Sequence, residues 1–395
     1  MRVMFAVPSY WPSQDGVANI TKYLAEGLAN RGHEVWILTS TGNGGLQDLP
    51  KKEVYRKVQI ERMRIYVQWP LHLKGRDHNS TKAYYRRRIR EICPDVLVVV
   101  CVQTWTFDWI RDVLDEVKCK KIFYSHGYSK LKAEYDYLTP LRKRNVIGVL
   151  EVLKTKRYYK FLYRYLQKYD KAIYLTEENN SARYAAEHHL TNGKIIGNAI
   201  EDVFYEEKNR HDYSTESQII QYLFVANYSA NKNQEMLLRA FAQAEIGKSR
   251  LVFIGFEENP YLDRLRRIQS ELVIPGEKEV LFETHLDRQE IIKIYGKSDV
   301  FVCPSLSETW SIVAHEAAAA ALPVISTNVG IYSELDGCMI VNTEQEMTQA
   351  MEELYFNDEE RRARGTQALN WLLSQNCSVR DKVTEFEDVL KELIS

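Results

Sequence analysis

PSLSETWSIVAHEAAAAALPVISTNVGIYSEL, residues Pro304 to Leu335, follows the apolar run Val300-Phe301-Val302 and contains a second such run, Pro323-Val324-Ile325-Ser326. Both runs are short and lack polar alternation, the pattern of strands covered on both faces. The alanines Ala317 to Ala321 between them suit a helix packed closely on a sheet. The segment therefore reads as strand, loop, helix, strand, with Glu308 in the loop and Glu316 on the helix. Backbone N–H groups near Ser311, Ile312 and Val313 would stand free at the helix start, where phosphate is attracted. Phosphate flanked by two carboxylates that bind hydroxyls points to a nucleotide-sugar.

Outward from this unit the same alternation recurs. Strand candidates Val3 to Val7, Val35 to Leu38, Val96 to Val102, Ile122 to Tyr124 and Ala172 to Leu175 alternate with helices such as Ile20 to Arg31. From Ile219 it restarts with strands Tyr222 to Val225, Leu251 to Ile254 and Val280 to Phe282, and helices Glu235 to Ala244 and Tyr261 to Leu272. The expectation is an α/β protein of two Rossmann-like, doubly wound parallel-sheet domains. Ile196 to Ile200 forms the joint, so the domains are expected at 1–199 and 200–376, and polar Glu206 to Ser217 reads as a linker with a loop. The amphipathic segments Glu359 to Leu373 and Val379 to Ile394 end the chain as helices.

Composition agrees with two cores. A chain of 395 residues exceeds the usual single-core limit, and 45% hydrophobic residues suffice to fill two. With 53 basic against 54 acidic residues, a surface built throughout for nucleic acid is excluded. The six cysteines include no C-x-x-C pair, which favours reduced, structural thiols. MRVMFAVPSY is too short an apolar run for a secretory leader, and Val96 to Val102 is far below membrane-span length. The expected location is cytoplasmic, or peripheral on the cytoplasmic membrane face.

In open α/β sheets ligands gather beyond the carboxyl ends of the strands. Three clusters fall there. Ser9 to Gly16 follows the first strand, and the Asp15-Gly16 turn lets backbone approach a phosphate, although a plain loop turn explains it equally. His126-Gly127 follows Ile122 to Ser125, where a lone histidine serves structure or substrate. Asn227 to Asn233 follows Tyr222 to Val225, and its Lys232 reads either as a diphosphate-binding point charge or as a solvated surface lysine.

Taken together these residues resemble a known family, the retaining glycosyltransferases of GT-B architecture and, among them, family four. The resemblance spans nearly the whole chain. It is carried by Asp15-Gly16-Val17, Arg31-Gly32-His33-Glu34-Val35, His126, Gly197-Asn198-Ala199-Ile200 and Lys232. Its most specific part is the E-x7-E pattern Glu308 to Glu316, continued by Ala321-Leu322-Pro323-Val324 and Gly330 to Glu334. The resemblance implies two domains facing across a cleft, the first on the acceptor side and the second binding the donor. It also implies that the chain from about 377 to 395 packs back on the first domain.

Site roles follow from the same resemblance. Glu316 would accept from the nucleotide ribose hydroxyls, Asn227 would help bind the donor, and Glu308 would contact the transferred sugar. Lys232 would neutralise the diphosphate, His126 would touch sugar or acceptor, and amides around Gly16, Ser311, Ile312 and Val313 would cradle the phosphates. Metal and cofactor are not expected, the nucleotide-diphosphate sugar being a co-substrate. The chain departs from the family at Asp15, where a second glycine is common, near Asn227, where an arginine is common, and at Ala321. Lys232 would then carry more of the phosphate charge, or Arg288 would compensate.

The acceptor, a glycan or lipid-linked molecule of surface polysaccharide assembly, would meet the first domain. There Arg142, Lys143, Arg144, Lys154, Lys156, Arg157, Lys160, Arg164 and Lys168 interleave with Tyr158, Tyr159, Phe161, Tyr163 and Tyr165, and Arg86, Arg87, Arg88 and Arg90 adjoin Tyr84 and Tyr85. Such composition suits an anionic membrane surface, and equally a solvated helix. Two further readings stay open: an epimerase acting on the same nucleotide-sugar, and a catalytically silent binding protein of the same fold.

Overall fold

The apolar runs become the inner strands of two parallel sheets. The computed structural model describes residues 1–13, 15–41, 49–68, 72–74, 78–128, 145–177, 179–213, 219–308 and 310–395. Contacts divide the chain into one unit of Met1–Ala199 with Val379–Ser395 and another of Ile200–Ser378.

The first unit holds β1 (Arg2–Ala6), β2 (Glu34–Ser40), β3 (Lys52–Tyr55), β4 (Val58–Met63), β5 (Tyr66–Gln68), β6 (His72–Lys74), β7 (Val96–Val100), β8 (Lys120–Tyr124), β9 (Lys171–Tyr174) and β10 (Gly193–Ile195). Eight of them form one sheet in the order β10-β9-β8-β7-β1-β2-β4-β3, parallel except at the β3–β4 edge, and β5 pairs with β6 alone. The order reverses between β1 and β7, which makes that point the crevice of the sheet. β1 and β7 are buried almost throughout because helices cover both faces.

The terminal helix Val379–Ile394 lies on the helix Gly16–Asn30. Phe386 stacks on Phe5 at 5.8 Å, and a Cβ at Gly27 would stand 2.4 Å from Val383 Cγ2, so only glycine admits the approach. Arg31 and His33 reach Glu387 at 3.0 and 2.9 Å. The imidazole hydrogen bond comes first among the causes that lower the Glu387 pKa to about 2, ahead of Lys391 and Arg31.

The second unit holds β11 (Ile220–Val225), β12 (Ser249–Ile254), β13 (Lys278–Glu283), β14 (Val300–Cys303), β15 (Val324–Thr327) and β16 (Cys338–Val341), all parallel, in the order β13-β12-β11-β14-β15-β16. Its switch point lies between β11 and β14. The expectation of two doubly wound sheets holds.

The expected linker is corrected. Of Glu206 to Ser217, the part from Glu206 to Tyr213 is described and packs on the second unit: His211 N–H donates to the Ala320 carbonyl at 2.9 Å and the Tyr213 hydroxyl to the Ala321 carbonyl at 2.7 Å. A polar stretch without periodicity can still be fixed by backbone partners.

The basic, aromatic segment is also corrected. Arg142, Lys143 and Arg144 lie outside the described residues. On the helix Val146–Leu166, Tyr159, Leu162 and Leu166 are buried in the core, and the Tyr158 hydroxyl is held by Gln103 and Asp108. A helical period turned these rings inward and left Lys154, Lys156, Arg157, Lys160 and Arg164 exposed. In the other cluster Arg88 pairs with Glu61, Arg87 with Glu91 and Arg90 with Glu116, so much of its charge is met internally. Among the described residues no helix is long and apolar enough to cross a membrane.

Candidate active site

In the second unit the site forms where the strand order reverses. Strand β11 leads into a loop that ends in the turn Ala230–Lys232, and β14 leads through Pro304 and Ser305 to Glu308. The loops are tied together: Leu306 N–H donates to the Asn231 carbonyl at 2.8 Å, and Asn231 Nδ2 to the Ser307 carbonyl at 3.1 Å. This brings Lys232 Nζ to 2.6 Å from Glu308 Oε1. Asn227 is exposed at the end of β11, and its carbonyl accepts from Gln234.

Glu308 is pressed from behind by Gly330. That residue has φ +55°, and a Cβ on it would stand 3.0 Å from Glu308 Cβ and 3.2 Å from the Glu308 carbonyl oxygen. Both the left-handed backbone and the contact call for glycine.

The helix Ile312–Ala319 starts beyond Glu308, and its N-cap, Ser311, makes no side-chain cap. Its hydroxyl is shared instead with Tyr332 at 2.7 Å. The first-turn amides of Ile312 and Val313 are thus free of any side-chain cap, an arrangement that attracts an anion. Trp310 stacks on the buried His315 at 4.6 Å and packs this turn against the core.

Glu316 is 2% exposed. Its Oε1 is ion-paired with Arg288, while Oε2 is buried. Arg288 also reaches Glu201 at 3.1 Å and lies over the Phe204 ring at 4.7 Å. Burial works against its charge, but Glu316 and Glu201 outweigh burial and raise its pKa. Two carboxylates thus hold its guanidinium through Nε and Nη2, as Glu308 holds Lys232.

In the first unit the loop after β1 ends at Asp15, the N-cap of the helix Gly16–Asn30. Its carboxylate accepts from Ala18 N–H at 3.0 Å and from the Ser9 and Ser13 hydroxyls at 2.6 and 2.8 Å. The expected phosphate cradle at Gly16 is therefore closed by a side-chain carboxylate, and its negative charge opposes phosphate. His126 follows β8 and stacks on Tyr124 at 4.9 Å. Its Nε2 is buried without a hydrogen-bond partner. Burial lowers its pKa to about 4 against a smaller opposing effect of Asp15, so the ring is neutral near pH 7.

Sequence comparison gives the family. A model described as Glycosyltransferase Family 4 matches residues 14–195, and one described as Glycosyl transferases group 1 matches residues 206–371. The chain belongs to the family 4, group 1 glycosyltransferases. An uncharacterised glycosyltransferase of Methanocaldococcus jannaschii is 26% identical to this glycosyltransferase over 81% of the chain and 78% of the relative. A D-inositol 3-phosphate glycosyltransferase of Corynebacterium aurimucosum is 27% identical over 44% of the chain and 43% of the relative. The chain spans less than half the length of most of the curated relatives it matches. Among solved structures, Anabaena HepE in complex with UDP-glucose superposes on the whole chain with a TM-score of 0.70, covering 100% of both chains at 15% identity. That likeness concerns the fold, which is GT-B.

Of the residues expected in the site, Lys232, Glu308, Ser311, Ile312, Val313 and Glu316 come together on the second unit, while His126 and Gly16 stand on the first. Glu201, Tyr332 and Trp310 were not among the expected residues. A signal for Glu201 existed in its place directly after the Gly197-to-Ile200 joint, but its partner Arg288 is 87 residues away.

Proposed function

We propose that this glycosyltransferase is a retaining, metal-independent enzyme that moves a sugar from a nucleotide-diphosphate sugar to a glycan or lipid-linked acceptor of surface polysaccharide assembly. The reading is carried by the uncapped helix start at Ser311 and Ile312, set at the switch point with a lysine and two glutamates around it. The diphosphate sits on the first-turn amides beside Lys232. The ribose hydroxyls donate to Glu316, and Glu308 faces the transferred sugar. As the bond from the anomeric carbon to the diphosphate oxygen breaks, positive charge grows on the sugar and negative charge on the leaving group, which the amides and Lys232 stabilise in place of a metal. The acceptor hydroxyl attacks from the leaving-group face, and its proton passes to the diphosphate oxygen. Neutral His126 offers a hydrogen bond to a hydroxyl of sugar or acceptor.

The acceptor side rests on the helix Val146–Leu166. Val146, Leu150 and Leu153 are exposed at 70%, 60% and 48%, next to the exposed lysines and arginines of the same helix. Aliphatic and basic groups together suit the surface of an anionic membrane carrying a lipid-linked acceptor. A thermal-shift screen of nucleotide-diphosphate sugars, beginning with UDP-glucose, tests the donor. Stabilisation followed by sugar transfer supports the reading, while a new sugar nucleotide formed from donor alone identifies an epimerase. No stabilisation by any nucleotide-sugar overturns it.

A further inference from the structure

Arg288 stands where a cation is unfavourable, which calls for a reason. It is the first residue of the helix Arg288–Lys297, whose N-cap Asp287 and Glu290 form a capping box. The positive end of a helix dipole repels a guanidinium, and the residue is partly withdrawn from water. What holds it is a pair of carboxylates from distant parts of the chain, Glu201 at 3.1 Å and Glu316, with the Phe204 ring beneath. Glu316 has one oxygen on this guanidinium and the other, Oε2, buried. The Tyr295 hydroxyl, from the same helix as Arg288, is also buried and lies against the Glu316 carboxylate; burial, then the charge and hydrogen bonding of that carboxylate, hold the phenol protonated.

We infer that Arg288 is a positioning residue for the nucleotide: it holds the Glu316 carboxylate by Oε1, with Tyr295 at its other side, so that the carboxylate keeps one orientation toward a ligand hydroxyl, and Glu201 anchors the guanidinium in turn. This rests on the proposed use of Glu316 for the ribose. A carboxylate free to rotate would lose part of its binding free energy to ordering at the moment of binding, whereas one tied to Nη2 of a guanidinium that Glu201 anchors through Nε loses less. The residue acts through Glu316 and touches no reacting atom.

The test is a double-mutant cycle on the full chain, reading the dissociation constants of UDP, ADP and GDP by titration calorimetry. Arg288→Met is expected to weaken the best-bound nucleotide on the order of ten-fold, the loss of one charged hydrogen-bond partner. Arg288→Lys, which keeps the charge but not the fork, weakens it less. Arg288→Met/Glu316→Gln should bind no worse than Glu316→Gln alone, because both changes remove the same contact. If Arg288→Met does not yield folded protein, the cycle runs with Arg288→Lys. Unchanged or tighter binding in the Arg288 variant, or losses that simply add, overturns the role of Arg288 alone. Failure of the unaltered protein to bind any of the three overturns the reading of the site as well.

Discussion

Lys232 and Glu308, 76 residues apart in sequence, close the switch point of the second sheet with an ion pair of 2.6 Å between Nζ and Oε1. Lys232 follows the strand on one side of the reversal and Glu308 the strand on the other. The glutamate side chain is 10% exposed and the lysine 25%, so removing one partner leaves the other short of a counter-charge in a poorly solvated place. Lys232→Met should lower stability by about 1–3 kcal/mol. The double variant Lys232→Met/Glu308→Gln should recover part of that loss. Thermal melts of the three variants check it, and strictly additive losses would show that the pair does not couple.

The same pair predicts a division of labour in catalysis. Glu308→Gln keeps the shape and removes the charge that the proposed function sets against the transferred sugar, so kcat should fall on the order of 100-fold while the donor KM changes little. Lys232→Ala should instead weaken nucleotide-diphosphate binding, by about 1.5–3 kcal/mol. Steady-state kinetics with varied donor separates the two. A Glu308→Gln enzyme with unaltered kcat would remove that residue from the chemistry.

The apolar strands were legible because Val96–Val100 and Val300–Cys303 are buried along their whole length and need no alternation to be seen. Strand β4 escaped because its VQIERM carries Glu61 and Arg62, both fully buried and satisfied by Arg88 and Glu53 from elsewhere. Charge pairing of this kind has no local signature. β10 is too short to show a period, and β16 is a four-residue strand of which only Val341 is buried. In the site, the Glu308 to Glu316 spacing could be read along one helix start. The Arg288 contacts could not, since they join Glu201, just after the joint, to two helices of the second unit. The closure of the Gly16 helix start by Asp15 depends on a side-chain rotamer, which a sequence pattern does not specify.

Gly330 gives a prediction about backbone. Gly330→Ala puts a side chain in the left-handed region and drives a Cβ against Glu308 at 3.0 Å. The conformational cost is about 1–2 kcal/mol, and the loop carrying Glu308 must shift. Turnover should therefore fall by more than the drop in melting temperature explains. Alanine at exposed Gly276, where a Cβ would meet nothing within 4 Å, is the control and should change neither.

The anchoring of the terminal helix predicts an acid limb. Glu387 has a folded-state pKa of about 2, below the ordinary value near 4.3 of an unfolded glutamate. The unfolded chain therefore takes up the proton first. The stabilisation is fully present above the unfolded value and is lost as pH falls from about 5 towards 2. Glu387→Gln removes it, so its melting temperature should lie below that of the unaltered protein at pH 7 and converge with it at the acid end. Parallel curves over that window would count against the assignment.

The proposed membrane contact would rest on the helix Val146–Leu166 presenting aliphatic rather than aromatic side chains, since the tyrosines are largely taken into the core. Each exposed basic group near an anionic surface contributes about 1 kcal/mol, and this part weakens with salt. Burial of Leu150 and Leu153 adds a part that does not. Charge reversal at Lys156, Arg157 and Lys160 should abolish co-sedimentation with vesicles containing anionic phosphatidylserine at low salt. Leu150→Asp/Leu153→Asp should lower binding at every salt concentration while leaving transfer to a soluble acceptor intact. Equal recovery of the unaltered protein with neutral and anionic vesicles would mean that these basic side chains serve only solubility.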